Sequence, residues 1–103
     1  MKTIYIVEGS TGAYSDSYSW LVRAFTDETK AEEFAVILNN TAKGLFDALD
    51  AAGIPNYYMN DPENSYIMDR FPDVKKDSKF SMDYTGTRYI VSECELEGVK
   101  DEY

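Results

Sequence analysis

Ala31, Phe34, Leu38, Ala42, Leu45, Leu49 and Ala52 recur at spacings of three and four, and Ala35, Ile37 and Phe46 widen the same stripe. An apolar stripe of that period is one face of an α-helix that must be buried against something else. Thr26 or Asp27 is suited to cap its N-terminus, and Asp27 and Glu28 lie favourably against the positive end of the helix dipole. Gly53, followed by Ile54 and Pro55, supplies a stop. Gly44 sits inside the stripe at a cost of about 1 kcal/mol relative to alanine, which marks a break, a bend or a close contact.

Ahead of the helix, Ile4, Tyr5, Ile6 and Val7 are β-branched or aromatic and read as a strand. Gly9, Ser10, Thr11 and Gly12 and the Ser-, Tyr- and Asp-rich stretch behind them read as loop. Residues 18–25 read as a second strand, so the two form a hairpin with a long loop. Beyond the helix the periodic signal fades over residues 56–85. Asp61, Pro62 and Glu63 have the form of a helix start, with Asp61 as cap and Pro62 in the first turn. Tyr66, Ile67, Arg70 and Phe71 give a short helix one apolar side before Pro72 ends it, and the charged residues 73–79 read as loop. Phe80, Met82 and Tyr84 alternate with polar residues, Thr85 and Gly86 signal a turn, and residues 87–96 read as a strand. Residues 80–96 therefore read as a second hairpin.

The resulting order of strand, strand, long helix, short helix, strand, strand predicts an α+β fold. It is a two-layer sandwich with a mostly antiparallel sheet, the long amphipathic helix packed on one face and the last strand beside the first. Its core would hold Ile4, Ile6, Trp20, Val22, Phe34, Leu38, Leu45, Leu49 and one face of residues 89–96. Tyr89, Ile90 and Val91 do not alternate cleanly, so the pattern leaves the buried face of that strand open. At 103 residues the chain reads as a single domain, residues 1–103, with an acidic tail over 97–103.

Composition changes this picture on the side of function. Asp and Glu number 19 against 10 Lys and Arg, for a net charge of −9, with no His, a single Cys and nine Tyr. Direct binding to a phosphate backbone draws on Lys and Arg, so the charge has the wrong sign for it and the right sign for approaching a basic protein surface. One Cys cannot make an internal disulfide, and no apolar run is long enough for a membrane helix, so a cytoplasmic protein is expected, in the host cytoplasm if phage-encoded. No metal site of the Cys/His type is available. The carboxylates Asp61 and Glu63 with Asn64 lack calcium-loop spacing and read as a helix cap. Cys94 lies between Glu93 and Glu95, whose charge disfavours the thiolate, and reads as a small buried or half-buried strand residue. The run from Gly9 to Gly12 lacks the Gly-Lys-Ser/Thr ending of a phosphate loop. Glu93, Glu95 and Glu97 share one strand face and read as a solvated edge rather than a catalytic pair. No catalytic residue, metal or cofactor is expected.

Binding is better supplied. Tyr14, Asp16 and Tyr18 cluster with Trp20 at the first hairpin, and Tyr57, Tyr58 and Tyr66 lie in the middle region beside Asp61, Glu63 and Asp69. Tyrosine offers large contact area at low entropic cost and is enriched at interface hot spots. Leaving out Trp20, these nine residues are the candidate partner-binding set. The plainer reading is that several of the tyrosines are core residues with the hydroxyl at the surface.

Gly12, Ala13, Tyr14, Ser15 and Asp16 after the first strand, and the run from Phe25 through Lys30, Ala31, Glu32 and Glu33 to Phe34, resemble small phage- and prophage-encoded proteins. Those proteins carry a Gly-x-Tyr-Ser-Asp loop and a Lys-Ala-Glu-Glu helix opening. Where that pattern places a Tyr directly after the Asp, this chain has Ser17. The resemblance covers about the first third of the chain and implies a mobile-element origin and an accessory role.

The expectation is a small acidic, non-enzymatic binding protein of phage type. It would dock its acidic, tyrosine-bearing surface on a host nucleic-acid-handling or defence protein and inhibit it by charge mimicry. The partner is a host protein with a basic surface, with no direct nucleic acid and no membrane, and the chain is a monomer or homodimer. The alternative is a structural, self-associating accessory protein with no host target. An enzyme would instead need a concave pocket holding two carboxyl groups of raised pKa.

Overall fold

The computed structural model describes residues 2–13, 15 and 17–97, with the backbone alone at Tyr57. Three strands form one antiparallel sheet: β1 (Lys2–Thr11) in the centre, β2 (Tyr18–Phe25) on one side and β3 (Thr87–Leu96) on the other. The long helix α1 (Glu28–Ala51) crosses one face. The α+β architecture, the first hairpin and the placement of the last strand beside the first follow the sequence reading. β1 extends further than expected, through Gly9 to Thr11, which pair with Trp20 and Tyr18.

Which face of β1 is buried differs from the expectation. Tyr5, Val7, Gly9 and Thr11 face the helix, whereas Ile4 and Ile6 lie half-buried on the opposite side. All four residues of the run from Ile4 to Val7 are apolar, so alternation there cannot choose a face. The residues that follow decide it. Burying the even set would bury Glu8, while the odd set continues into Gly9 and Thr11, both of which the interior accepts. A shift in register between Val7 and Glu8 leaves Val22 as an extra residue in β2. Val22 packs on the core and the Arg23 guanidinium lies 4.8 Å over the Phe34 ring.

Asp27 caps α1, accepting from the Lys30 amide at 3.1 Å. The helix ends in a Schellman motif: Gly53 N donates to Asp50 O, Ile54 N donates to Leu49 O, and Gly53 takes the left-handed φ of +70°. Leu38, Leu45 and Leu49 are fully buried, and truncating any of them to alanine costs about 2–5 kcal/mol. Ile37 points outward instead of widening the stripe. Gly44 does not break the helix. It makes room for Phe71, whose ring edge would lie 2.7 Å from any added Cβ.

Residues 52–86 wrap back from the end of α1 through 3₁₀ turns at Asn56–Tyr58, Pro62–Asn64 and Pro72–Lys76 and the single-turn helix α2 (Ser65–Met68). They contribute Met59, Ile67 and Met82 to the core. Part of the charged stretch read as loop is thus a 3₁₀ turn. The strand expected at residues 80–84 does not form: only Asp83 and Gly86 pair, as an isolated bridge. Asn39 of α1 explains why the sheet stops there. Its amide donates to Tyr89 O at 3.0 Å and accepts from Tyr89 N at 2.7 Å, occupying backbone groups of β3 that another strand would need. Among the described residues no helix is long and apolar enough to cross a membrane.

Candidate functional site

The Schellman turn leaves Ile54 and Pro55 as a ridge at the C-terminal end of α1. On one side lies a groove of about 590 Å³ whose apolar walls are Phe46, Ile54, Pro55, Met82 and Tyr84. Tyr84 is 77% exposed, more than any other large hydrophobic side chain of the described residues. Asp50, in the last turn of α1, and Asp83 supply the groove's carboxylates. On the other side of the ridge a depression of about 210 Å³ is lined by Tyr58, Asp61 and Glu63. Neither hollow has a lysine or arginine in its lining.

Asp83 is fixed from several directions. Its Oδ1 accepts from Thr85 N at 2.7 Å, Thr85 Oγ1 at 2.5 Å and Thr11 Oγ1 at 3.3 Å. Its backbone N donates to Thr11 Oγ1 at 2.9 Å, and Asn56 Nδ2 donates to its carbonyl. The single Thr11 hydroxyl proton is shared between Asp83 Oδ1 and, at the shorter distance of 2.6 Å, Gly86 O, which ties the end of β1 to the turn before β3. Burial pushes the Asp83 carboxyl upward, but the bonds from Thr85 and Thr11 and the Gly12 amide outweigh it and hold the group below the usual carboxylate range. On the other side of the ridge, the buried Asn64 donates to Tyr58 O at 2.8 Å and holds the turn that presents Tyr58, Asp61 and Glu63.

The potential of this end is negative for a second reason. The C-terminus of α1 is the negative pole of its dipole, and its last turn carries no basic residue. The nearest helical cation, Lys43, is held one turn back by Asp47 at 3.2 Å.

Of the nine candidate residues, the structure brings Tyr58, Asp61 and Glu63 into one hollow. Tyr66 and Asp69 are exposed on α2 and just beyond it and line neither hollow. Tyr18 is exposed at the start of β2, its ring 5.6 Å from that of Trp20 and its hydroxyl donating to Ser81 Oγ. Tyr14, Asp16 and the Tyr57 side chain lie outside the described residues. Asp50, Asp83 and Tyr84 were not in the expected set. Asp50 had one sequence signal, since an acid in the last turn of a helix opposes the dipole and has no stabilising role there.

Asp77, in the charged stretch that reads as loop in the sequence, is interior at 3% exposure. Its Oδ2 accepts from Trp20 Nε1 and from the Tyr89 hydroxyl, both at 2.8 Å, and its Oδ1 from Lys79 N at 3.0 Å. The Trp20 ring lies flat enough on β1 that a Cβ at Gly9 would come within 2.7 Å of it. This network joins the residue 72–80 segment to the sheet. Cys94, read as buried or half-buried, is exposed on the uncovered face of β3. The described residues contain no cluster of three or more Cys, Asp and Glu that could hold a metal ion.

No family model matches the chain, and no curated protein or solved structure matches it either.

Proposed function

We propose that this chain is a small acidic binding protein, not an enzyme, that docks the C-terminal end of α1 on a basic groove of a nucleic-acid-handling or defence protein. There it inhibits by occupying the place of the phosphate backbone. One observation carries the reading: two adjoining hollows with apolar and tyrosine walls hold Asp50, Asp83, Asp61 and Glu63 and no cation. Arginine and lysine have apolar stems and charged heads, so walls of this kind with carboxylates beside them match their chemistry. The resemblance of the first third to phage-type accessory proteins supports a host target.

The test uses the immobilised chain to capture protein from a host lysate at low salt. Captured protein is then assayed for duplex DNA binding with and without added chain. The expected result is loss of DNA binding on addition of the chain. The triple variant D50K/D61K/E63K should capture at least about tenfold less, with the difference shrinking at high salt. Capture that ignores the triple reversal, or captured protein that binds DNA equally well in the presence of the chain, overturns the reading.

A further inference from the structure

β3 lies at one side of the sheet, and its outer edge is closed only in part. Tyr89 N and Tyr89 O point away from β1 and are taken by the Asn39 side chain. Backbone groups alternate sides along a strand, and β3 pairs with β1 without a break in register. The N–H and C=O groups of Val91, Glu93 and Glu95 therefore point the same way as those of Tyr89. Among the described residues nothing bonds them except the Cys94 thiol, 3.6 Å from Glu95 O. A row of open donors and acceptors of this kind is a template for one more strand.

The two faces of this open stretch differ in chemistry. Tyr89 and Val91 pack on the core, so Glu93 and Glu95 lie on the helix side, where both are exposed. Glu28, in the first turn of α1, and Asp27 join them. Tyr5, opposite Glu93 on β1, has its phenol pushed upward by burial and then by the charges of Glu28, Glu93 and Asp27. None of these four acids is ion-paired among the described residues. The other face of the same stretch carries Ile90 and Leu96, 56% and 40% exposed.

We infer that residues 91–96 take an extended segment of another protein as a fourth, antiparallel strand, and that the residues of this segment alternate between basic and aliphatic. Backbone bonds supply the docking and the two faces supply the selection. Directly opposed residues share a face, so the basic set meets Glu93 and Glu95 while the aliphatic set continues Ile90 and Leu96. Every pairing between strands of the sheet is antiparallel, and that ladder is the more stable per residue. A second copy is disfavoured, because β3 laid on β3 sets glutamate beside glutamate. The site lies at the opposite end of α1 from the two hollows, so it adds a contact to the docking proposed above and does not depend on it.

The probe is the end-blocked hexapeptide Lys-Val-Lys-Val-Lys-Val, added to the full chain and followed by amide exchange. Exchange should slow at least about tenfold at Val91, Glu93 and Glu95 and change little at Ile90, Ser92 and Cys94, whose amides already face β1. In the antiparallel register the lysine amides of the peptide face β3 and its valine amides face solvent. Methylating the lysine amide nitrogens should weaken binding at least about tenfold, and methylating the valine ones should leave it within about twofold. The double reversal E93K/E95K should weaken binding at least about tenfold with an unchanged circular dichroism spectrum, whereas D50K/D61K/E63K should bind the peptide as the unmodified chain does. A peptide that does not bind at millimolar concentration overturns the proposal. So does binding that leaves the three edge amides unprotected, that ignores E93K/E95K, or that is equal for the two methylated peptides.

Discussion

Replacing Asp77 with alanine tests whether the buried carboxylate is what fastens the residue 72–80 segment to the sheet. The change removes the acceptor of three bonds, from Trp20 Nε1, the Tyr89 hydroxyl and Lys79 N. Tyr89 is only 4% exposed, so its hydroxyl is left with no acceptor and little water, at about 1–3 kcal/mol. Trp20 is half-buried and Lys79 exposed, so water replaces their bonds at about 0.5–1 kcal/mol each. Against this, the variant no longer desolvates a carboxylate that has no ion-pair partner among the described residues, which returns part of the loss. The net expectation is a destabilisation of about 2–4 kcal/mol, or roughly 10–25 °C in Tm for a domain of this size. Asp77→Asn keeps one acceptor oxygen and should cost about half as much. Urea unfolding followed by circular dichroism and by the fluorescence of Trp20, the single tryptophan, gives both numbers. A loss below about 0.5 kcal/mol, or equal losses for alanine and asparagine, would refute the assignment of these three bonds as the fastening.

Gly9→Ala should destabilise by about 1–3 kcal/mol, because the new Cβ displaces the Trp20 ring from Asp77. In a Trp20→Ala background the penalty should largely vanish, and persistence of the full penalty there contradicts the steric explanation. Burial and then the Asp77 carboxylate push the Tyr89 phenol well above its ordinary value. A raised folded-state value means that stability is intact below about pH 10, where the unfolded phenol titrates, and is lost as pH rises beyond it. Tyr89→Phe should flatten that alkaline decline, and an unchanged pH dependence of urea unfolding between pH 9 and 11 would tell against it. Asp83 carries the opposite sign: its carboxyl is held low, so its contribution is present above about pH 4 and disappears on acidification through the folded-state value. Asp83→Asn should therefore make acid unfolding less steep, which a titration of Tm between pH 6 and 3 measures. Asn39→Ala frees both Tyr89 backbone groups at the edge of β3, so faster amide exchange at Tyr89 and its neighbours is expected.

Local chemistry carries the parts of this fold that are legible in the sequence. The helix can be read from a three- and four-residue period over Ala31 to Leu49, a capping Asp27 and the Gly53 stop, because each of these acts within a turn or two of the chain. The first hairpin and the position of the last strand follow in the same way from β-branched runs and the need to cover one helical face. The binding end is only half legible. Tyr58, Asp61 and Glu63 share one turn-rich segment and could be grouped by proximity in sequence. Asp50, Asp83 and Tyr84 join them only through the Schellman turn and the bonds that Thr11 and Asn56 make to Asp83 across the fold.

The sequence by itself determined the first hairpin, the long helix and the last strand, and their order, since propensity, period and caps are properties of short segments. Tertiary structure decided three things those segments leave open. It chose the face of β1, because Glu8 resists burial while Gly9 accepts the Trp20 ring. It ended the sheet at three strands, because Asn39 occupies the edge of β3. And it divided the acids, taking Asp77 into the interior and gathering Asp50, Asp61, Glu63 and Asp83 at the negative end of α1. Each outcome depends on groups far apart in the chain, whose energies exist only once the helix lies on the sheet.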